Sequence, residues 1–129
     1  MASFGIRKVT RSSYDDVLQR LPDLLKAEGF GILTQIDVQE TLKQKLGVDF
    51  RRYKILGACN PPLAHRAFQA ELEIGVMLPC NVIVYEGDDG KAVVTAIDPM
   101  QTVAAAHPKL GDVAAEVRQR LSRVLERVS

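Results

Sequence analysis

The carboxy-terminal stretch LGDVAAEVRQRLSRVLERV, residues 110–128, decides the architecture. Leu110, Val113, Ala114, Val117, Leu121, Val124, Leu125 and Val128 recur at steps of one, three and four. That period predicts a long amphipathic helix with a broad apolar face. Such a helix needs an apolar surface to lie on, and the upstream segments supply it as strands that read as half-buried. The expected fold class is therefore α+β: a curved, mainly antiparallel five-stranded sheet with helices packed on one side.

Working outward from that helix, the order read is β-α-β-α-β-α-β-β-α. Residues 5–11 alternate weakly and form a first strand. Ser12 and Ser13, followed by Asp15 and Asp16, make a capping-box pattern before a helix whose face is Val17, Leu18, Leu21, Leu24 and Leu25. Pro22 inside it predicts a kink or break, and Gly29 ends it. Phe30–Ile36 reads as the second strand. Asp37 and Glu40 then cap a short helix striped by Val38, Leu42 and Leu46 and closed by Gly47. Residues 51–59 form the third strand.

Asn60-Pro61 starts the next helix, with Leu63, Ala64, Ala67 and Phe68 as its expected buried face. Val76–Glu86 reads as the fourth strand, disturbed at Pro79. Gly87-Asp88-Asp89-Gly90 is a hairpin turn into Lys91–Ile97, and Asp98-Pro99 with Gln101 opens one more short helical turn. No repeat or linker interrupts the pattern, so residues 1–129 read as a single domain.

With 129 residues, 47% hydrophobic and 26% charged, the chain has the composition of a globular domain. Seventeen basic residues against 16 acidic ones leave a net charge of +1, which gives no field for nucleic acid or an anionic membrane. No apolar run reaches signal-peptide or membrane-helix length, so a cytoplasmic location is expected, with no membrane partner. In that compartment the two cysteines are expected as thiols.

Four blocks are similar to a known family. GFGILTQIDVQETLKQKL (29–46), YKILGACNPPL (53–63), GVMLPCNVIVY (75–85) and Ala96-Ile97-Asp98-Pro99 together resemble the bacterial and archaeal family called domain of unknown function 302. The resemblance spans nearly the whole chain, with the blocks in family order. It implies a TATA-box-binding-protein-like α+β fold, a curved antiparallel sheet backed by a long helix, and homodimers. It implies no particular reaction and no cofactor.

One constellation has residue types suited to chemistry. Cys-Asn occurs twice, at Cys59-Asn60 and Cys80-Asn81. This is not the C-x-x-C of a zinc knuckle or a thioredoxin. If the two strands that carry these pairs are antiparallel neighbours, both thiols sit at one end of the sheet; if parallel, at opposite ends. Cys59 precedes a helix N-terminus, a place that lowers a thiol pKa or holds an anion or carboxylate. Against this stands the plainer reading, in which both cysteines are small core residues and Asn60 is only a helix cap.

Asp37 and Asp98 each follow a strand. They read first as caps and second as a carboxylate pair at one rim. His65 is expected in solvent and His107 near the start of the last helix; they form no metal motif. Arg118, Arg120, Arg123 and Arg127 read as a solvated helix face diluted by Glu116 and Glu126. With aromatics at 5%, nucleic-acid binding by that stripe is not expected.

The sequence thus points to a small homodimeric, non-catalytic ligand-binding or sensing module, with Cys59, Asn60, Cys80, Asn81, Asp37 and Asp98 as candidate ligand-binding residues. A thiol-dependent redox or soft-metal protein is the alternative, and a purely structural dimer the third reading. The ligand would be a small molecule or an anion.

Overall fold

A computed structural model describes residues 4–129; Met1–Ser3, part of the stretch read for a leader, lie outside the described residues. Five strands form one open antiparallel sheet: β1 (Gly5–Ser13), β2 (Gly31–Asp37), β3 (Tyr53–Cys59), β4 (Cys80–Glu86) and β5 (Lys91–Ile97). Their order is β1-β5-β4-β3-β2, so β4 is central and β1 and β2 are the edges. The helices are α1 (Tyr14–Ala27), α2 (Val38–Leu46), α3 (Pro61–Ala70), the single turn α4 (Val103–Ala106) and the long α5 (Gly111–Arg127).

Strand alternation gives the sheet two different faces. On one face lie Leu56, Val82 and Ala96, aligned across β3, β4 and β5, with Val84 and Val94 one step along. All five are at most 2% exposed, and they pack against Leu21 and Leu25 of α1 and Leu121 and Val124 of α5, each 0% exposed. This is the apolar face that the period of residues 110–128 called for.

The opposite face carries two continuous rows. One is Ile36–Ile55–Ile83–Thr95–Arg7, which crosses all five strands. The other is Tyr53–Tyr85–Val93–Val9, in which the two tyrosine rings stack with centroids 5.5 Å apart.

Local chemistry sets the element ends. Ser13 Oγ accepts from Asp16 N at the start of α1. At its other end Phe30 N donates to Leu25 O and Gly29 N to Lys26 O, the paired bonds of a Schellman motif. Leu25 and Phe30 complete that motif as a buried contact. Gly29 has φ +85°, and a Cβ there would stand 2.8 Å from Asn60 Nδ2. Gly47 closes α2 in the same left-handed conformation. At the far end of the sheet, Arg52 donates to both carboxylate oxygens of Asp15 and to Glu86, with its guanidinium 4.6 Å from the Tyr14 ring centroid. Burial pushes the Tyr14 phenol up to about 12.

Two expectations need correction. The strand read as Val76–Glu86 begins only at Cys80, and Leu72–Met77 instead forms a 3₁₀ segment. Pro79 has no N–H for the ladder, so pairing cannot extend back through it, and the segment buries Ile74 while Val76 stays 87% exposed. Phe68, read as part of the buried face of α3, is 39% exposed. At Pro22, where the sequence predicts a kink or a break, the helix is not broken. Pro22 lies on the exposed side of the helix, where water can satisfy the carbonyl one turn back.

The geometry at Gly29 predicts a large penalty for a small change. Gly29→Ala should lower unfolding free energy by about 2 kcal/mol, from the left-handed backbone and the displaced Asn60 amide together. Urea denaturation of the variant beside the wild type measures this; an unchanged midpoint would contradict the packing described.

Candidate functional site

β3 and β4 are antiparallel neighbours, with Ala58 opposite Cys80. Both cysteines therefore sit at one end of the sheet, and both are free and partly buried. Cys80 shares the helix-facing side with Ala58, which is 0% exposed. Two small cavities meet there. The first, about 60 Å³, is walled by Ile74, Met77 and Leu78 on one side and by Ile97, Leu110 and Val113 on the other. The second, about 50 Å³, is walled by Phe30, Ala58, Cys59, Asn60 and Leu63. Ala67, Leu78, Cys80, Val113 and Val117 line both, so the two are chambers of one slot.

The polar groups at the slot are already engaged. Asn60 Oδ1 accepts from Leu63 N, and its Nδ2 donates to Glu28 O. Ala64 N donates to Asn60 O. Pro61 and Pro62 have no N–H at all. The first turn of α3 thus has no free amide with which to hold an anion or stabilise a thiolate, which corrects the expectation attached to Cys59. Burial pushes the Cys80 thiol up to about 11. Cys80 is a protonated, apolar wall at neutral pH, the opposite of an activated nucleophile. Among the described residues no buried side-chain N or O lacks a hydrogen-bond partner, and no group of three or more His, Cys, Asp or Glu is placed to hold a metal ion.

The six candidate residues are not one cluster. Cys59, Asn60 and Cys80 line the slot. Asp98 lies at the same end of the sheet, 4% exposed, and its carboxylate accepts from Met100 N and from Arg118 Nε at 3.0 Å. Asn81 is opposite Gly57 and exposed on the other face, away from the thiols. Asp37 caps α2 at the far end, beside the Lys54 register, so Asp37 and Asp98 do not share a rim.

The residues that sequence reasoning missed surround Glu28. It is 7% exposed, and Arg123 donates to its Oε1 through Nε and Nη2 at 3.0 and 2.9 Å. Arg127 reaches Oε2 at 3.5 Å, and Arg120 donates to the Glu28 backbone carbonyl at 3.1 Å. Three arginines of the α5 stripe, Arg120, Arg123 and Arg127, therefore clasp the end of α1, while Arg118 pairs with Asp98. The signal available in sequence was an acid directly before the helix-ending Gly29. The 3₁₀ segment that walls the first chamber was missed because it was read as strand.

A two-layer α+β domain, its antiparallel sheet covered on one face and closed by a long final helix, is the class defined here. The family model described as Domain of unknown function DUF302 matches residues 6–128, and the chain belongs to that family. A crystal structure of an uncharacterized conserved protein DUF302 from Bacillus stearothermophilus is similar, with 34% sequence identity over 99% of this chain and 100% of the other and a TM-score of 0.89. No curated protein matches the chain at a significant level. Among the described residues no helix is long and apolar enough to cross a membrane.

Two measurements check this chemistry. In a Cys59→Ser background, native Cys80 should react with a disulfide reagent at pH 8 about a hundredfold more slowly than in denaturant, because so little thiolate is present. The Glu28 carboxyl is held below its ordinary value, first by the Arg123 hydrogen bond. Its contribution to stability is present above the unfolded glutamate value of about 4.3 and is lost as pH falls through the lower folded value. Glu28→Gln should lower the urea midpoint at neutral pH and flatten its fall below pH ~4.

Proposed function

We propose that this protein is a homodimeric, non-catalytic binding module for a small apolar molecule, taken into the slot beside Cys80. The observation that carries this reading is the pair of adjoining chambers whose walls are hydrocarbon and thiol and whose nearby polar groups are all engaged. An apolar cavity of this kind stays dry, and an apolar guest recovers the missing wall contacts.

The surroundings favour access. The 3₁₀ segment and α4 face each other across an open groove that includes Ile74, Val76, Val103 and Leu110. Val76 and Val103 are 87% and 75% exposed. His107 Nε2 and Glu71 Oε1 stand 3.5 Å apart across the same groove. Chambers of about 60 and 50 Å³ are well below the volume that takes drug-sized ligands. The guest is thus a ring or short chain, or these two short segments part to admit a longer one. The alternative of a thiol-redox protein is disfavoured by the raised Cys80 value.

Thermal unfolding with benzene, cyclohexane and hexanoic acid as probes tests the proposal. A binder present at a hundred times its dissociation constant should add about 2.7 kcal/mol. Ala67→Met, which adds a side chain on a wall shared by both chambers, should raise the stability of the empty protein by about 1 kcal/mol and abolish the ligand-dependent shift. No shift with any probe in the wild type, or an equal shift in Ala67→Met, would sink the slot as the binding site.

A further inference from the structure

The sheet face turned away from α1, α3 and α5 has a self-complementary layout, and we propose that it is where a second copy of this chain docks, face to face, about a twofold axis over Ile83. This deepens the homodimeric part of the proposed function and rests on it.

The two rows described above make this face mainly apolar. Val9 and Ile36, near its two edges, are 55% and 49% exposed. Val93 within it is 5% exposed, and Arg7 and Arg51 lie against Tyr85, so the apolar patches left to water are those at and between the edges, of a size that monomers rarely expose. Ile83 is the middle residue of the central strand. A twofold axis in the plane between two such faces that passes over this centre sets Ile83 against Ile83 of the partner subunit.

Two such axes exist. One running across the strands superposes each residue of the Ile83 row on its own copy. One parallel to the strands lays β1 over the partner's β2. In either case Arg7 donates to the Tyr85 hydroxyl at 3.5 Å and keeps its charge beside the central strand. Packed sheets of this kind cross at about −30°.

The size fits a second copy. Five strands at about 4.8 Å spacing and seven residues at about 3.3 Å rise give roughly 550 Å² in projection, of the order of the ~800 Å² per partner that a stable pair needs. Leu46, Val48 and Phe50, which are 69%, 44% and 42% exposed, extend the apolar surface beyond the Tyr53 end. A net charge of +1 raises no repulsion between copies. A single-stranded nucleic acid would instead need open aromatic rings and excess positive charge, whereas Tyr53 and Tyr85 already stack on each other.

Sedimentation velocity at micromolar concentration is the test, with circular dichroism to verify folding. The wild type should run as a dimer. Ile83→Lys places two ammonium groups on the axis and should weaken the dimer at least about a hundredfold. Val9→Lys, at a solvent-exposed position that does not endanger the core, should weaken it about tenfold and so serves if Ile83→Lys fails to fold. A monomeric wild type would overturn both this proposal and the homodimer. A dimer that persists unchanged in Val9→Lys and in folded Ile83→Lys would overturn the surface alone. A monomer that binds a single-stranded oligonucleotide through Tyr53 and Tyr85 would assign the face to nucleic acid and overturn it too.

Discussion

Everything at the cysteine end of the molecule depends on how α1 stops. The chain must turn from a helix into the edge strand β2 within three residues, and it does so through Glu28, Gly29 and Phe30. The Glu28 carbonyl takes hydrogen bonds from both Asn60 and Arg120, and the Glu28 carboxylate takes the Arg123 fork. One residue thereby ties α1, the start of α3 and the middle of α5 to a common point. A buried carboxylate is costly unless its partners are good, and here they come from a helix whose other side is held by the core. The clasp also explains Asn60, whose amide joins the end of α1 to the start of α3 by one donated and one accepted hydrogen bond.

The slot is a by-product of the same arrangement. α3 and α5 are anchored near Glu28, and the residues lining the first chamber include Ala67, Ala104 and Ala114 as well as larger side chains. Interiors are normally filled to crystal-like density. A void flanked by two short, partly exposed segments is therefore the place where this fold gives up packing, and the thiol of Cys80 sits at its waist.

The fold was legible where the sequence signal is redundant. Residues 110–128 repeat their period over five turns, Gly29 and Gly47 end helices in the left-handed conformation that only glycine takes readily, and Gly87–Gly90 joins β4 to β5 as a tight turn. It was illegible where two periods overlap: Leu72–Met77 is as apolar as a strand, and only the pairing limit set by Pro79 shows that it is not one. The site was half legible. The two cysteines did come together, because β3 and β4 are neighbours. Asn81 did not join them, because one step along a strand reverses the side on which a residue lies. Pro61-Pro62 already announced that α3 has no amides to offer, a consequence that follows from the missing N–H groups alone. The Glu28 clasp joins positions 95 residues apart and left no pattern along the chain.

The position of β1 has a bearing on how the protein is made. It leaves the ribosome before the other four described strands, yet among the described residues its neighbour in the sheet is β5, and the Thr10 hydroxyl bonds to a carbonyl 82 positions later. At roughly 5–20 residues per second of synthesis, that is a wait of about 4–16 s during which the nascent edge has no partner. The pairing of β1 must wait for β5, whereas β2–β3 and β4–β5 join strands that are consecutive along the chain.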